Sequence, residues 1–91
     1  MLERMVKLRC GIAEAVTVYD EDIEAYVKDA KADMIDSGVP PDLFGRVPDE
    51  QVVTAVTLYV KAYLGTDASD TEKYLRLYRR KVFRLTLHEA G

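Results

Sequence analysis

One stretch of the chain, from Asp49 to Leu64, constrains what the rest can fold into. Val52, Val53, Ala55, Val56, Leu58, Tyr59, Val60, Tyr63 and Leu64 are apolar there, while Glu50, Thr54, Thr57 and Lys61 form one narrow polar stripe. The β-branched content would also suit a strand, but the length of the stretch and the 3.6-residue recurrence of the polar positions favour a helix. A helix that is apolar over most of its circumference must be packed on several sides. In a chain of 91 residues, which is one domain over 1–91, it belongs at the centre. Its own chain covers two sides, and a neighbouring subunit is able to cover a third.

Three further segments carry helical periodicity. Leu2, Met5, Val6 and Arg9 share a face of a short first helix over about 2–9, with Gly11 behind it; a helix this short depends on tertiary support. Residues 12–19 read as a connector, partly extended. The second helix is expected over 20–37, with Ile23, Tyr26, Val27, Ala30 and Met34 as its buried stripe. Asp20 is placed to cap it, Glu21 and Asp22 suit the positive end of its dipole, and Gly38 followed by Pro40 ends it. The fourth helix is expected over 70–89 behind a Ser69-Asp70-Thr71-Glu72 capping box. Leu75, Tyr78, Val82 and Leu85 form its seam, and Leu77, Phe83 and Leu87 fall outside it. The fold class is therefore all-α, a small bundle of four main helices. Its third helix is the most buried, with Val56, Tyr59 and Val60 in the core.

Two breaks punctuate these helices, Gly38 to Pro48 and Gly65 to Ser69, both rich in turn-forming residues. With 48% hydrophobic residues and a net charge of only −3, intrinsic disorder is not expected. No apolar run approaches the roughly 18 residues of a membrane span. The mixed-charge N-terminus, with no apolar run behind it, is not expected to be a signal peptide. The lone Cys10 excludes an internal disulfide framework and suits a reducing compartment.

Charge is distributed unevenly. Residues 20–37 hold seven acids and two bases, a net −5, and residues 69–91 hold three acids and six bases, a net +3. Such elements can pair within one subunit or between copies, head to tail. The candidate interface residues are the acids Asp22, Asp29, Asp33 and Asp36 and the bases Lys73, Arg76, Arg80 and Arg84. Apolar residues exposed beside that basic row mark a partner surface.

Chemistry-bearing arrangements are sparse. Cys10 lacks a nearby base in sequence, and the only histidine is His88; a semi-buried filler residue is the simpler reading. Asp20 to Glu24 resembles the start of a calcium loop, but that loop needs glycine at its sixth position and glutamate at its twelfth, where Ala25 and Lys31 stand. Six tyrosines suggest base stacking, yet Tyr26, Tyr59 and Tyr78 fall on apolar faces, which favours core packing with a wet hydroxyl. No phosphate-binding glycine loop, zinc cluster or nucleophile elbow is present. No catalytic residue, metal or cofactor is therefore assigned. The basic row has three readings: a contact to nucleic-acid phosphates, a contact to an acidic protein surface, or a solvated face. A sequence pI of about 5.1 weighs against a dedicated nucleic-acid binder.

The order of parts resembles a known family. An acidic helix (Asp20 to Met34) is followed by Ser37-Gly38-Val39-Pro40, then by the Tyr59-Val60-Lys61-Ala62-Tyr63-Leu64-Gly65 helix end, then by Glu72-Lys73-Tyr74 and Tyr78. This is similar to the small head-tail connector proteins of tailed bacteriophages, also described as DNA-packaging or head-completion proteins, over nearly the whole chain. The resemblance implies a non-enzymatic virion protein that forms an adaptor ring of about a dozen subunits. It also implies a place beneath the portal at the head-tail junction, after assembly in the host cytoplasm. The implied partners are other copies of the chain, the portal protein, the next neck, stopper or tail-completion protein, and DNA that passes through without sequence-specific contact. Family members with a longer C-terminal arm use it for docking, so that contact is expected to be short here or made by another element. The loop residues Val39, Pro40, Pro41, Asp42, Leu43, Phe44 and Arg46 are the candidates for a lumen or partner contact. The rival reading is a small helical nucleic-acid-binding or regulatory domain that uses the basic fourth helix. Salt-sensitive DNA affinity of the monomer would favour the rival, and rings formed without DNA would favour the connector.

Overall fold

A computed structural model describes residues 1–65 and 68–87. Four α-helices, α1 (Leu2–Arg9), α2 (Asp20–Asp36), α3 (Glu50–Leu64) and α4 (Ala68–Thr86), are joined by loops and one short 3-10 turn, Pro41–Phe44. No strand occurs among the described residues. The all-α expectation holds, and α3 is central as its composition requires: it packs against each of the other three helices, most extensively against α4. Val52, Val53, Ala55, Val56 and Val60 are completely buried. Around them lie Val6 from α1, Ile23, Val27, Ala30 and Met34 from α2, and Tyr78, Val82 and Leu85 from α4. Tyr59, expected in the core, packs against it while remaining half-buried.

Two helix ends follow from single glycines. Gly38 has φ +108°, and behind α2 its N–H donates to the Ile35 carbonyl while that of Val39 donates to Met34 at 2.9 Å. This is the Schellman arrangement, which satisfies carbonyls the helix would leave orphaned. It also carries Val39 back onto Met34 in the core, both of them buried. Gly11, at φ +80°, ends α1 in the same way, with Gly11 and Ile12 donating to Leu8 and Lys7.

Several local expectations are corrected. Asp20 does not cap α2: the preceding residue is Tyr19, which makes no side-chain cap bond. Its carboxylate instead lies 2.8 Å from Lys7 Nζ, a buried ammonium that also donates to the Glu14 carbonyl at 3.0 Å. A buried cation needs a counter-charge more than an exposed first turn needs a cap. Residues 12–19 are a connector as expected, with two successive turns closed by Val16 N–H to Ala13 and Asp20 N–H to Thr17. Ser69 lies inside α4, which already begins at Ala68. The hydroxyl of Thr71 donates to the Ala62 carbonyl at 2.7 Å, fastening the start of α4 to the end of α3. The helix ends at Thr86 rather than Glu89; Glu89 and His88 lie outside the described residues. Asp49 does cap α3, accepting from the Gln51 N–H at 2.8 Å.

Candidate assembly interface

The seam of α4 turns Tyr78, Val82 and Leu85 inward. At 3.6 residues per turn, Arg80 stands about 200° round the helix from Tyr78. Arg76, Arg80, Phe83 and Leu87 then follow one another along the outer face at helical spacing, with Lys73, Leu77 and Arg84 beside them. All seven are exposed, Phe83 by 63% and Leu87 by 60%. From Lys73 to Leu87 there are six bases and no acid. Lys73 stands 5.9 Å from the ring centre of its neighbour Tyr74. Arg76, Arg79, Arg80 and Arg84 form no ion pair with another described residue. The outer face of α4 is thus a cationic and apolar mosaic with its charge unspent.

The acidic row is built equally simply. Asp22, Asp29, Asp33 and Asp36 are separated by seven, four and three residues, so they share one flank of α2. All four are exposed. Asp33 also has a role inside the subunit: Tyr78 Oη donates to its Oδ2 at 2.6 Å and approaches the Ala30 carbonyl at 3.5 Å. The hydroxyl of Tyr78 is therefore held by protein, not by water as expected. Burial pushes that phenol well above its usual ionisation range, with the hydrogen bond to Asp33 and its negative charge adding to the effect. Among the described residues no ion pair joins the acidic row of α2 to the basic row of α4.

Between these rows runs a feature that the periodicity did not reveal. Four tyrosines from three helices touch in sequence: Tyr26 stacks on Tyr63 at 5.6 Å, Tyr63 meets Tyr59 at a tilt at 4.8 Å, and Tyr59 meets Tyr78 edge-on at 5.1 Å. Tyr63, the second ring of this ladder, is 43% exposed. The phenol of Tyr59 is pushed up to about 12, by burial first, then by Tyr63 and by the charges of Asp29 and Asp33. A tyrosine on an apolar stripe signals burial, but nothing in the sequence pairs rings from different helices.

The loop of residues 38–48 is more ordered than its composition suggests. Leu43 and Phe44 pack against the core and Val39 belongs to it, while Lys31 Nζ stands 5.6 Å from the Phe44 ring centre. The Asp49 N–H closes the loop on the Leu43 carbonyl at 2.9 Å. Within the loop Val39 is buried, Pro40, Leu43 and Phe44 are half-buried, and Pro41, Asp42 and Arg46 face solvent with Val47. Cys10 is half-buried, and burial raises its thiol against a smaller opposing effect of Lys61. An activated nucleophile requires a shift the other way.

A family model described as phage connector protein matches the chain over residues 1–91. The chain belongs to the phage connector protein family. No curated protein and no solved structure gives a match. Membership makes this connector a structural component of the phage particle, acting through contacts with other head or tail proteins. Its exposed surfaces are the candidates for those contacts. The acidic and basic rows and the open part of the 38–48 loop are the candidates.

Proposed function

We propose that this connector is an adaptor subunit whose copies join head to tail into a ring beneath the portal, at the head-tail junction. The ring extends the DNA channel and offers the next neck, stopper or tail-completion protein its docking surface. One observation carries the reading. Two oppositely charged rows occupy different faces of one subunit, and no ion pair joins them within it. A subunit with two complementary, non-overlapping faces associates heterologously, and such contacts close into rings when the rotation permits. Asp22, Asp29, Asp33 and Asp36 of one copy meet Lys73, Arg76, Arg80 and Arg84 of the next. Exposed ion pairs contribute only about 0–1 kcal/mol each, so the ring closes on its portal template rather than in dilute solution. The net negative charge of −3 suits a channel through which DNA slides, since neutralising many phosphates would hold it. Pro41, Asp42, Arg46 and Val47, the open part of the 38–48 loop, face the lumen or the next protein.

The test is complementation of DNA-filled heads that lack this protein, using the Arg80→Glu/Arg84→Glu double variant. Wild-type protein should add a ring of density at the portal vertex and restore tail joining. The double variant should stay folded but leave the vertex bare, and the heads should leak DNA. Normal vertex density with the double variant would sink the electrostatic interface. Failure of the wild-type protein to bind portal vertices would sink the adaptor reading itself.

A further inference from the structure

The tyrosine ladder gives the acidic row a chemical selectivity that charge alone does not supply. Its exposed end consists of Tyr63 and, stacked on it, the half-buried Tyr26. Asp29 is exposed, in ion-pair contact with no described residue, and follows Tyr26 by three residues on α2, so the two side chains are neighbours one turn apart on the same helix. A carboxylate at the lip of an aromatic face is the environment a guanidinium prefers. The planar cation stacks on the ring, is weakly hydrated, and presents paired N–H groups to a carboxylate; a lysine ammonium does the first and last less well. Arginine also predominates on the opposite surface, where Arg76 and Arg80 stand one turn apart on the outside of α4.

We propose that Tyr26, Tyr63 and Asp29 form a guanidinium site and that its occupant is Arg76 or Arg80 of a second copy of this chain. The proposal rests on the adaptor reading and names the contact that would hold neighbouring subunits in register. A subunit cannot fill its own site with these residues, because they project from the side of α4 opposite Tyr78, the ladder's inner end. The face that donates and the face that accepts are therefore separate, and each copy has one of both. Rings locked in the ladder lose little freedom when an arginine stacks on them, so the site is formed before its occupant arrives.

Isotope-labelled full-length protein, concentrated from the micromolar to the millimolar range, tests this by NMR and sedimentation. Resonances of Tyr26, Tyr63, Asp29 and the Arg76 and Arg80 side chains should move together as concentration rises. Asp29→Arg alone and Arg76→Glu/Arg80→Glu alone should each weaken self-association roughly tenfold, the scale of one or two such contacts. An equimolar mixture of the two should recover it. In that mixture the arginine at position 29 meets the introduced glutamates, and the unaltered site of one variant meets the unaltered arginines of the other. Tyr63→Leu should weaken association severalfold, Tyr63→Phe should retain it, and Arg76→Lys/Arg80→Lys should weaken it despite the kept charge. Spectra independent of concentration, a mixture that does not recover, or Tyr63→Leu behaving as wild type would each overturn the proposal. So would loss of affinity for a duplex DNA probe in the glutamate variant with self-association unchanged, which would make nucleic acid the partner of α4. If wild-type protein still completes portal vertices in any of these cases, the adaptor reading survives without this site.

Discussion

Replacing Tyr78 by phenylalanine removes a single oxygen from the junction of α2, α3 and α4. The ring is 3% exposed and stays packed against Tyr59, so the apolar contacts are kept. What is lost is the 2.6 Å bond to Asp33; the 3.5 Å approach to the Ala30 carbonyl is too long to add much. A hydrogen bond to a charged partner is worth about 1.5–3 kcal/mol. Asp33 is exposed and regains water when its donor goes, so the lower part of that range applies, about 1.5–2 kcal/mol. For a domain of this size each kcal/mol moves Tm by about 4–8 °C, giving a drop of roughly 5–15 °C. The assay is urea and thermal unfolding followed by circular dichroism, with Asp33→Ala and the double variant completing a cycle. The pH dependence supplies a second readout. The folded state holds the Tyr78 proton more tightly than the unfolded chain, whose tyrosines ionise near pH 10. The resulting stabilisation is fully present below pH ~10 and is lost as pH rises above it. Tyr78→Phe should flatten that alkaline slope. Strict additivity of the two single variants, with the alkaline slope unchanged, would refute the reasoning.

Gly38→Ala should cost about 1–2 kcal/mol, because φ +108° disfavours any side chain. The nearest atom to an added Cβ, Thr86 Cγ2 at 3.8 Å, leaves room for it, so conformation and not collision sets the cost; an unchanged Tm would contradict this. Cys10 should react with a disulfide reagent at mildly alkaline pH more slowly in the folded protein than in denaturant, because burial raises its thiol. Equal rates in the two states would show that the thiol is not held in this environment.

Much of the fold is legible in the sequence because helix periodicity and glycine ends are properties of neighbouring residues. The stripe from Ile23 to Met34, the seam from Tyr78 to Leu85 and the nearly all-apolar third helix each name their buried side without reference to any other element. Gly38 closes the second helix for reasons confined to its own dihedral angle. The candidate interface was legible to the same depth: spacing alone puts Asp22, Asp29, Asp33 and Asp36 on one flank and Arg76, Arg80 and Phe83 on one face.

What the tertiary structure decided concerns pairs of residues distant in the chain. Asp20 turned from a cap into the counter-charge of Lys7 because packing α1 against α2 buried that lysine. Asp33 became the acceptor for Tyr78 because α2 and α4 converge there over α3. The 38–48 loop, a turn-rich break by composition, is drawn onto the core by Val39, Leu43 and Phe44. The tyrosine ladder exists only once three helices set their rings within stacking distance. Periodicity reports which way a side chain points from its own helix axis. What it then meets depends on how the axes cross, and that is settled by the packing of the whole core at once.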